Sequence, residues 1–285
     1  MCPELFKIGP LTVYSYGLML GIAFIVGSYV LTLEFKRKGI HPELASEVTI
    51  FALISGIIGA KIFHLFDVWD AFLQDPIGEA FSPGGLVWYG GFLAGLIVIY
   101  LNSRRRNLPF LVLVDSLAPA AALGYGIGRI GCHLSGDGDY GIPTDLPWGT
   151  DYSKGTYPPS YAFRGTEIAK NYPDGIVPDN TPLHPTPIYE FLMGVIIFLI
   201  LWNMRKKTNV NGKIFMWFLI LHGSARFLVE FIRINPKILF GLTEAQLISV
   251  ILVSAGIVGI FYLKKNPDLV QFDPKQIKYE PKKKK

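Results

Sequence analysis

The chain has 285 residues, of which 51% are hydrophobic and only 17% are charged, and its formal net charge is +5. A soluble domain carries about a quarter charged residues, so this composition, with a mean hydropathy of +0.37, predicts an integral membrane protein. Disordered, collagen-like and disulfide-rich classes are excluded. Two cysteines, Cys2 and Cys132, are too few for a disulfide framework or a cysteine-rich zinc site.

Seven apolar windows predict membrane-spanning helices, because about 20 mostly apolar residues cross the hydrocarbon core of a bilayer. They cover residues 11–33, 48–68, 84–102, 108–130, 187–204, 214–232 and 245–263. The predicted fold is therefore an all-α integral membrane protein with seven transmembrane helices. The chain divides into residues 1–131 with helices one to four, an outer-side head over 132–186, residues 187–263 with helices five to seven, and a basic tail over 264–285. No cleavable signal peptide is expected, because the first window lacks a basic start and is too long.

Basic residues predict the orientation, because they stay on the cytoplasmic side of a membrane. Four clusters follow helices one, three, five and seven, at residues 36–38, 104–106, 205–213 and 264–285. With seven spans all four lie on one side, which puts the N-terminus outside and the C-terminus in the cytoplasm. The positive charge thus reflects topology and contact with anionic membrane lipids, and no nucleic-acid partner is expected.

The segment between helices four and five is unusually long for a connection. It holds seven acidic residues against three basic ones and is rich in Gly, Pro and aromatic residues. The aromatic residues predict a small folded head rather than a disordered loop. We find no internal repeat and no inverted pair of broken helices, which disfavours a secondary transporter.

Helix six carries charges on one face. Arg226, Glu230 and Arg233 stand at i, i+4 and i+7, within about 40° of one another around a helix. One interpretation is a structural ion-pair stripe that joins helices. The other is that Glu230 fixes two guanidinium groups while one of them binds an anion, and the net positive charge of the stretch favours this second interpretation.

A glycine-rich polar run ends helix four. It begins with Gly128, Arg129, Ile130, Gly131 and Cys132 and continues through His133, Ser135, Asp137, Asp139 and Gly141. Arg129 is expected near the outer interface, where its fork of donors suits a phosphate group. Close helix packing is the alternative explanation for the glycines. His133, Asp137 and Asp139 could bind a metal, but no further His or Cys has suitable spacing, so no metal or cofactor is expected.

Other polar residues have plain structural explanations. Tyr16 and Tyr89 stand near the outer ends of their helices, where aromatic anchoring is common. Glu190 comes at the start of helix five, where the helix dipole favours an acid. Lys61, with His64 one turn later, is interpreted as a charge on the bundle interior rather than a catalytic amine.

Five segments together carry a resemblance to a known family. They are Tyr16-Gly17-Leu18-Met19, Tyr89-Gly90-Gly91, Gly128-Arg129-Ile130-Gly131 with its polar run, His184-Pro185-Thr186-Pro187-Ile188-Tyr189-Glu190, and Arg226-Phe227-Leu228-Val229-Glu230-Phe231-Ile232-Arg233. In this order, and over nearly the whole chain, the sequence resembles the prolipoprotein diacylglyceryl transferase family of the bacterial inner membrane.

The resemblance implies a reaction. Members of the family transfer the diacylglyceryl group of phosphatidylglycerol to the thiol of the lipobox cysteine in the signal peptide of a prolipoprotein. A thioether forms and glycerol phosphate leaves. Such an enzyme must align two substrates at the membrane surface, help to generate a thiolate, and neutralise charge that grows on the departing phosphate.

The family match also implies roles for individual residues. Arg129 and Arg226 would clamp the phosphate, Glu230 would orient Arg226, and Tyr16 would hydrogen-bond near the lipid head group. Asp137 stands at or near the acid of the family signature. Further contacts with phosphatidylglycerol are expected from Arg233, Gly131, Gly141, Tyr189 and Glu190.

The chain departs from the family pattern at several of these positions. Cys132 and Ser135 stand where asparagine is usual, and Asp137 replaces glutamate. The run is one residue longer than the common form, so both Asp137 and Asp139 are candidates for the signature acid. Tyr89 replaces a histidine often proposed as a base, and tyrosine is a poor base at neutral pH. His133, Glu190 or the arginine field acting on the thiol are the alternatives, and we prefer the arginine field with no single essential base.

Three functions of other classes remain as alternatives. A polytopic anion or lipid transporter would line its route with the arginines, although these cluster near one face. An intramembrane serine protease would use Ser135 with His222. A lipid-binding scaffold would need the arginines without turnover.

Overall fold

The computed structural model describes residues 1–9, 11–82, 85–208, 210–266 and 272–279. The long helices are α1 (Ser15–Arg37), α2 (Glu43–Asp67), α5 (Trp88–Arg105), α6 (Phe110–Ser135), α8 (Thr186–Met204), α9 (Lys213–Val229) and α10 (Glu244–Lys265). The short helices are α3 (Trp69–Gln74), α4 (Pro76–Phe81) and α7 (Pro159–Ala162). The strands are β1 (Glu4–Ile8), β2 (Leu11–Tyr14), β3 (Lys237–Leu239) and β4 (Leu242–Thr243), paired as two antiparallel hairpins.

Within the described ranges, six helices are long and apolar enough to cross a membrane: α1, α2, α6, α8, α9 with its following turn, and α10. These correspond to six of the seven predicted windows. The predicted third span corresponds to α5, which has 18 residues and carries Arg104 and Arg105 in its last turn. The chain is therefore a multi-pass membrane protein built from α-helices.

The first predicted span was wrong at its start. Residues 11–14 form strand β2, which pairs with β1, and α1 begins only at Ser15. The Thr12-Val13-Tyr14 stretch combines β-branched and aromatic residues, which favour a strand. The Ser15 amide donates to the Pro3 carbonyl at 2.9 Å, which ties the start of the helix to this hairpin.

Helix α6 is longer than its window predicted. It continues to Ser135, so Cys132 and His133 lie on a helix rather than in the head. The amide of Gly136 closes the helix by donating to the Cys132 carbonyl at 2.9 Å. Gly136 has a φ of +59°, the left-handed conformation that glycine adopts readily after a helix end.

The chain forms two compact units. The first comprises Met1–Gly27 and Leu117–Val270, and the second comprises Ser28–Ser116 and Gln271–Lys285. In the second, α2 and α5 approach closely at glycines, because a Cβ at Gly59 would lie only 2.5 Å from the Gly90 carbonyl. The end of the chain joins this unit: the Lys278 amide donates to Arg106 at 2.8 Å, and Tyr279 stacks on His41 at 4.0 Å. Residues 267–271 and 280–285 of the predicted basic tail, 264–285, lie outside the described residues.

In the first unit, small residues bring α6, α8, α9 and α10 together. A Cβ at Gly194 of α8 would lie 2.9 Å from the Ala122 carbonyl of α6, and one at Gly256 of α10 would lie 2.7 Å from the Met216 carbonyl of α9. The segment between α6 and α8 has a core of its own, made by Tyr140, Tyr152, Phe163, Ala169, Val177 and Leu183. The packing brings the end of α6, the start of α8 and the end of α9 to the base of this segment.

Candidate active site

Three arginines of the first unit meet at a single carboxylate. Glu190, in the first turns of α8, accepts hydrogen bonds from Arg226 Nη1 at 3.2 Å and Arg233 Nη1 at 3.3 Å, and it forms an ion pair with Arg129 Nε at 3.4 Å. Its side chain is only 2% exposed. An acid so deeply buried is stable in its charged form only when cations surround it. Glu190 is therefore the centre of the site, whereas the sequence predicted it as a lipid contact or an alternative base and not as the partner of three arginines.

Tyr125 supports Glu190 from within α6. The Tyr125 hydroxyl donates to Glu190 Oε1 at 2.5 Å. The Arg129 guanidinium lies 4.9 Å from the centre of the Tyr125 ring, a cation–π distance. His222 of α9 meets the same ring edge-on at 4.7 Å. Sequence reasoning missed Tyr125, although its position four residues before Arg129 puts both on one face of the helix.

A second carboxylate, Asp139, bridges two of the arginines. Arg129 Nη1 contacts one of its oxygens and Arg233 Nη2 contacts the other. The Asp139 main chain is fixed separately, because its carbonyl accepts from Thr186 Oγ1 at 2.5 Å and from Arg233 Nη1 at 2.9 Å. Burial would raise the pKa of Asp139, but the charges of Arg129 and Arg233 hold it well below its usual range.

Glu230 completes the network from the turn that follows α9. It pairs with Arg226 Nη2 at 2.8 Å and approaches Arg233 Nε at 3.7 Å. The side-chain Nδ2 of Asn235 donates to the other carboxylate oxygen of Glu230, Oε1, at 2.6 Å. The spacing of these residues predicted that Glu230 would bridge the two arginines, and the ion pairs follow that pattern.

The assembled network is balanced in charge. Arg129, Arg226 and Arg233 oppose Asp139, Glu190 and Glu230, so the expected excess of positive charge is absent from this network of described residues. Sequence reasoning counted only the charges within helix six. Exposure differs among the acids: the Asp139 side chain is 31% exposed, whereas those of Glu190 and Glu230 are 2% and 0%. Arg129 and Arg226 are each 18% exposed.

Asp137 occupies a different position from Asp139. Oxygens of the two carboxylates and the Cys132 Sγ all lie within 4.8 Å of one another. Burial, reinforced by the charge of Asp139, raises the pKa of Asp137. Of the two candidate acids, Asp139 is the one that pairs with arginines. His133, grouped with them as a metal ligand in one interpretation of the sequence, instead places Nδ1 2.9 Å from the Tyr152 hydroxyl of the head core.

Tyr16 is brought to the site by a close approach of α1 to α6. A Cβ at Gly131 would lie 3.1 Å from Met19 Cβ and 3.2 Å from Tyr16 Cα. Tyr16 itself remains 44% exposed. Gly131 therefore acts through backbone proximity, since a larger residue would push the Tyr16 turn away.

The head contributes Gly141 and contacts Tyr189. The Gly141 amide donates to the His184 carbonyl at 2.9 Å, and a Cβ on Gly141 would collide with the Ile232 carbonyl. The Tyr189 hydroxyl accepts from Trp148 Nε1 at 2.7 Å and lies 3.2 Å from His184 Nδ1. These contacts join the start of α8 to the head.

Some predicted residues lie elsewhere or have other partners. Tyr89 is on α5 in the second unit, with its ring edge-on to Trp88 at 5.3 Å. Lys61, also in that unit, donates to the Ser82 carbonyl and hydroxyl at 3.0 and 2.8 Å. Ser135 donates to the Cys132 carbonyl at 3.1 Å, while His222 stacks on Phe218 at 5.2 Å.

Comparisons with known proteins identify the family. The family described as "Prolipoprotein diacylglyceryl transferase" matches residues 3–262. Among relatives named phosphatidylglycerol–prolipoprotein diacylglyceryl transferase, the protein of Finegoldia magna is 30% identical over 95% of this chain and 98% of its own length. The proteins of Clostridium tetani and Staphylococcus haemolyticus are each 30% identical, over 92% and 94% of this chain and 96% and 90% of their own lengths. With nearly its whole length covered, this chain belongs to the prolipoprotein diacylglyceryl transferase family.

Proposed function

We propose that this protein transfers the diacylglyceryl group of phosphatidylglycerol to the lipobox cysteine thiol of prolipoproteins. The product is a thioether, and glycerol phosphate leaves. The observation that carries this proposal is the convergence of three arginines on Glu190, at the base of the head, in a chain of this family. Membership of a transferase family also favours this function over the transporter considered from sequence.

The exposed parts of Arg129 and Arg226 are the proposed phosphate contacts. Each guanidinium pairs with the buried Glu190 carboxylate yet keeps 18% of its side chain accessible. Such prepositioned donors neutralise the charge that builds on a leaving phosphate without having to reorganise. Arg233, whose side chain is 6% exposed, is proposed as a further contact with the lipid phosphate, and Tyr16 is proposed to hydrogen-bond near the lipid head group.

The proposed topology has seven spans in the bacterial cytoplasmic membrane, with α5 as the third. In support, α5 carries its two arginines in its last turn, and glycines fit it against α2. The N-terminus and the head then face outward, where a precursor's lipobox emerges, and the basic segments face the cytoplasm.

The test is a reconstituted reaction. The purified protein, in detergent micelles containing phosphatidylglycerol, is incubated with a lipobox peptide and the peptide is analysed by mass spectrometry. We expect a mass gain of one diacylglyceryl group on the cysteine and stoichiometric glycerol phosphate. A peptide with Cys→Ser should gain nothing. Absence of the thioether with a folded protein would refute the proposed reaction.

A further inference from the structure

We infer that Asp139 occupies the position of the lipid phosphate on Arg129 and Arg233 and, once displaced, accepts the proton of the acceptor thiol. This inference rests on the proposed function and adds a proton acceptor to it. It names Asp139 as a catalytic residue and explains why the network is balanced in charge.

The way Asp139 is bound resembles the binding of a phosphodiester. One of its oxygens contacts Arg129 and the other contacts Arg233. A phosphodiester also presents two charged oxygens, and guanidinium groups bind carboxylate and phosphate with the same geometry. Since Arg129 and Arg233 both contact Asp139, a phosphate that binds these two guanidinium groups in the same way takes the place of its carboxylate.

Asp139 is the acid that can leave. Its side chain is 31% exposed, whereas Glu190 and Glu230 are enclosed at 2% and 0%. Its main chain stays in place because Thr186 and Arg233 hold its carbonyl. Gly138, immediately before it, has a φ of +92°, a backbone conformation that glycine adopts readily, and with the Asp139 carbonyl held in place the exchange is assigned to rotation of the side chain.

Displacement changes the chemistry of the carboxylate. The two guanidinium charges keep Asp139 a very weak base while it is bound to them. After the phosphate has taken those charges, burial and the neighbouring Asp137 favour its protonation. Asp139 also lies within 4.8 Å of the Cys132 Sγ, so its surroundings already accommodate a thiol group.

In the proposed step, the acceptor S–H gives its proton to an Asp139 oxygen, and the thiolate attacks the glycerol carbon that bears the phosphate. The new C–S bond forms as the C–O bond breaks, and that electron pair remains on the oxygen of glycerol phosphate. Asp139 then passes its proton to the departing phosphate and pairs again with the arginines, which helps to expel the product.

The test compares Asp139→Asn with the wild-type protein in two measurements. Binding of sn-glycerol 1-phosphate is titrated calorimetrically without acceptor peptide, and steady-state transfer is measured with phosphatidylglycerol and lipobox peptide. We expect the Kd to fall about tenfold, because the competing carboxylate is lost, while kcat falls on the order of a hundredfold, the usual contribution of a general base. A merely structural role would weaken both binding and turnover.

Controls keep the result interpretable. Asp145→Asn removes the same charge from an exposed site in the head and should change neither quantity. Asp139→Glu should retain part of kcat with near wild-type binding. If the asparagine variant does not fold, Asp139→Ala replaces it in both measurements. It must also show a lower Kd for the anion and a lower kcat for transfer.

The outcomes also separate this inference from the proposed function. An unchanged or raised Kd, or an unchanged kcat, in folded Asp139 variants would overturn the inference while wild-type thioether formation stands. If Asp139→Asn binds the anion more tightly but the wild-type protein forms no thioether, the proposed reaction and the proton-accepting role are both refuted. Only the inference that Asp139 occupies the anion position then stands.

Discussion

At the scale of single residues, the site depends on a buried acid more than on any one arginine. Glu190 bonds to three guanidinium groups and to the Tyr125 hydroxyl. Each bond to a charged group contributes about 1.5–3 kcal/mol, but an unpaired buried charge costs more than such a bond supplies. The acid and the arginines therefore fix one another's orientation, and this rigidity is what a phosphate clamp requires.

The clamp predicts a graded response to substitution of Arg129. Arg129→Ala removes a phosphate contact and should lower transfer by a factor on the order of 10² or more. Arg129→Lys keeps the charge but loses the two-pronged geometry, so it should recover only part of the rate. Arg226→Ala should behave as Arg129→Ala does.

These variants are assayed by mass spectrometry of the lipobox peptide, with thermal unfolding in detergent as the check on folding. Arg164→Ala, which removes an exposed arginine of the head, serves as the matched control and should transfer normally. Undiminished transfer by folded Arg129→Ala would contradict the clamp.

At the scale of elements, glycines set the distances between helices that carry the site. Gly194 of α8 lies against α6, where a Cβ would be 2.9 Å from the Ala122 carbonyl and 3.1 Å from Gly126 Cα. Because α8 carries Glu190 and α6 carries Arg129, this contact controls whether the Glu190 carboxylate and the Arg129 guanidinium meet. Small residues at such crossings are the usual basis of packing between membrane helices.

We therefore predict that Gly194→Ala destabilises the protein. The added methyl group must push α8 from α6, at a cost of about 1–3 kcal/mol, and transfer activity should fall with the unfolding temperature. Gly21→Ala in α1 is the control, because a Cβ there meets nothing within 4 Å and alanine favours a helix by about 1 kcal/mol. Equal unfolding temperatures for Gly194→Ala and the wild type would contradict this account.

Sequence patterns predicted the helices better than their ends or their partners. Hydropathy identified the apolar stretches, but residues 11–14 became a strand because residues 4–8 pair with them. The polar run after Arg129 looked like a loop, yet it stays helical until Gly136 turns the chain. Likewise the i, i+4, i+7 spacing predicted the contacts of Glu230, because those are local. The contacts of Glu190 and the choice of Asp139 over Asp137 join distant segments, which no local pattern encodes.

At the scale of the whole molecule, the proposed topology assigns each segment outside the helices to one side of the membrane. The head and the hairpin of β1 and β2 would face outward, and the tail would face the cytoplasm. In the second unit, Tyr279 stacks on His41 and Lys278 bonds to Arg106. The tail thus contacts the α1–α2 and α5–α6 turns, both of which carry basic residues nearby, as expected for a cytoplasmic surface.

Cysteine labelling tests the orientation. Cys2 is exposed and should react with a membrane-impermeant maleimide added to intact spheroplasts, in a Cys132→Ser background. Lys275→Cys, with both natural cysteines replaced by serine, should react only after the membrane is opened. The opposite pattern would invert the topology, and labelling of both positions from one side would rule out an odd number of spans.

The order of the six network charges along the chain has a consequence for membrane insertion. Arg129, Asp139, Glu190, Arg226, Glu230 and Arg233 emerge from the ribosome in that sequence. When the charges are summed in this order, the running net charge never exceeds one unit of either sign. Because each unpaired charge within a bilayer costs several kcal/mol, a nascent chain that passes its helices to the lipid in order carries little of that burden at any stage, and the site neutralises itself while it is still being synthesised.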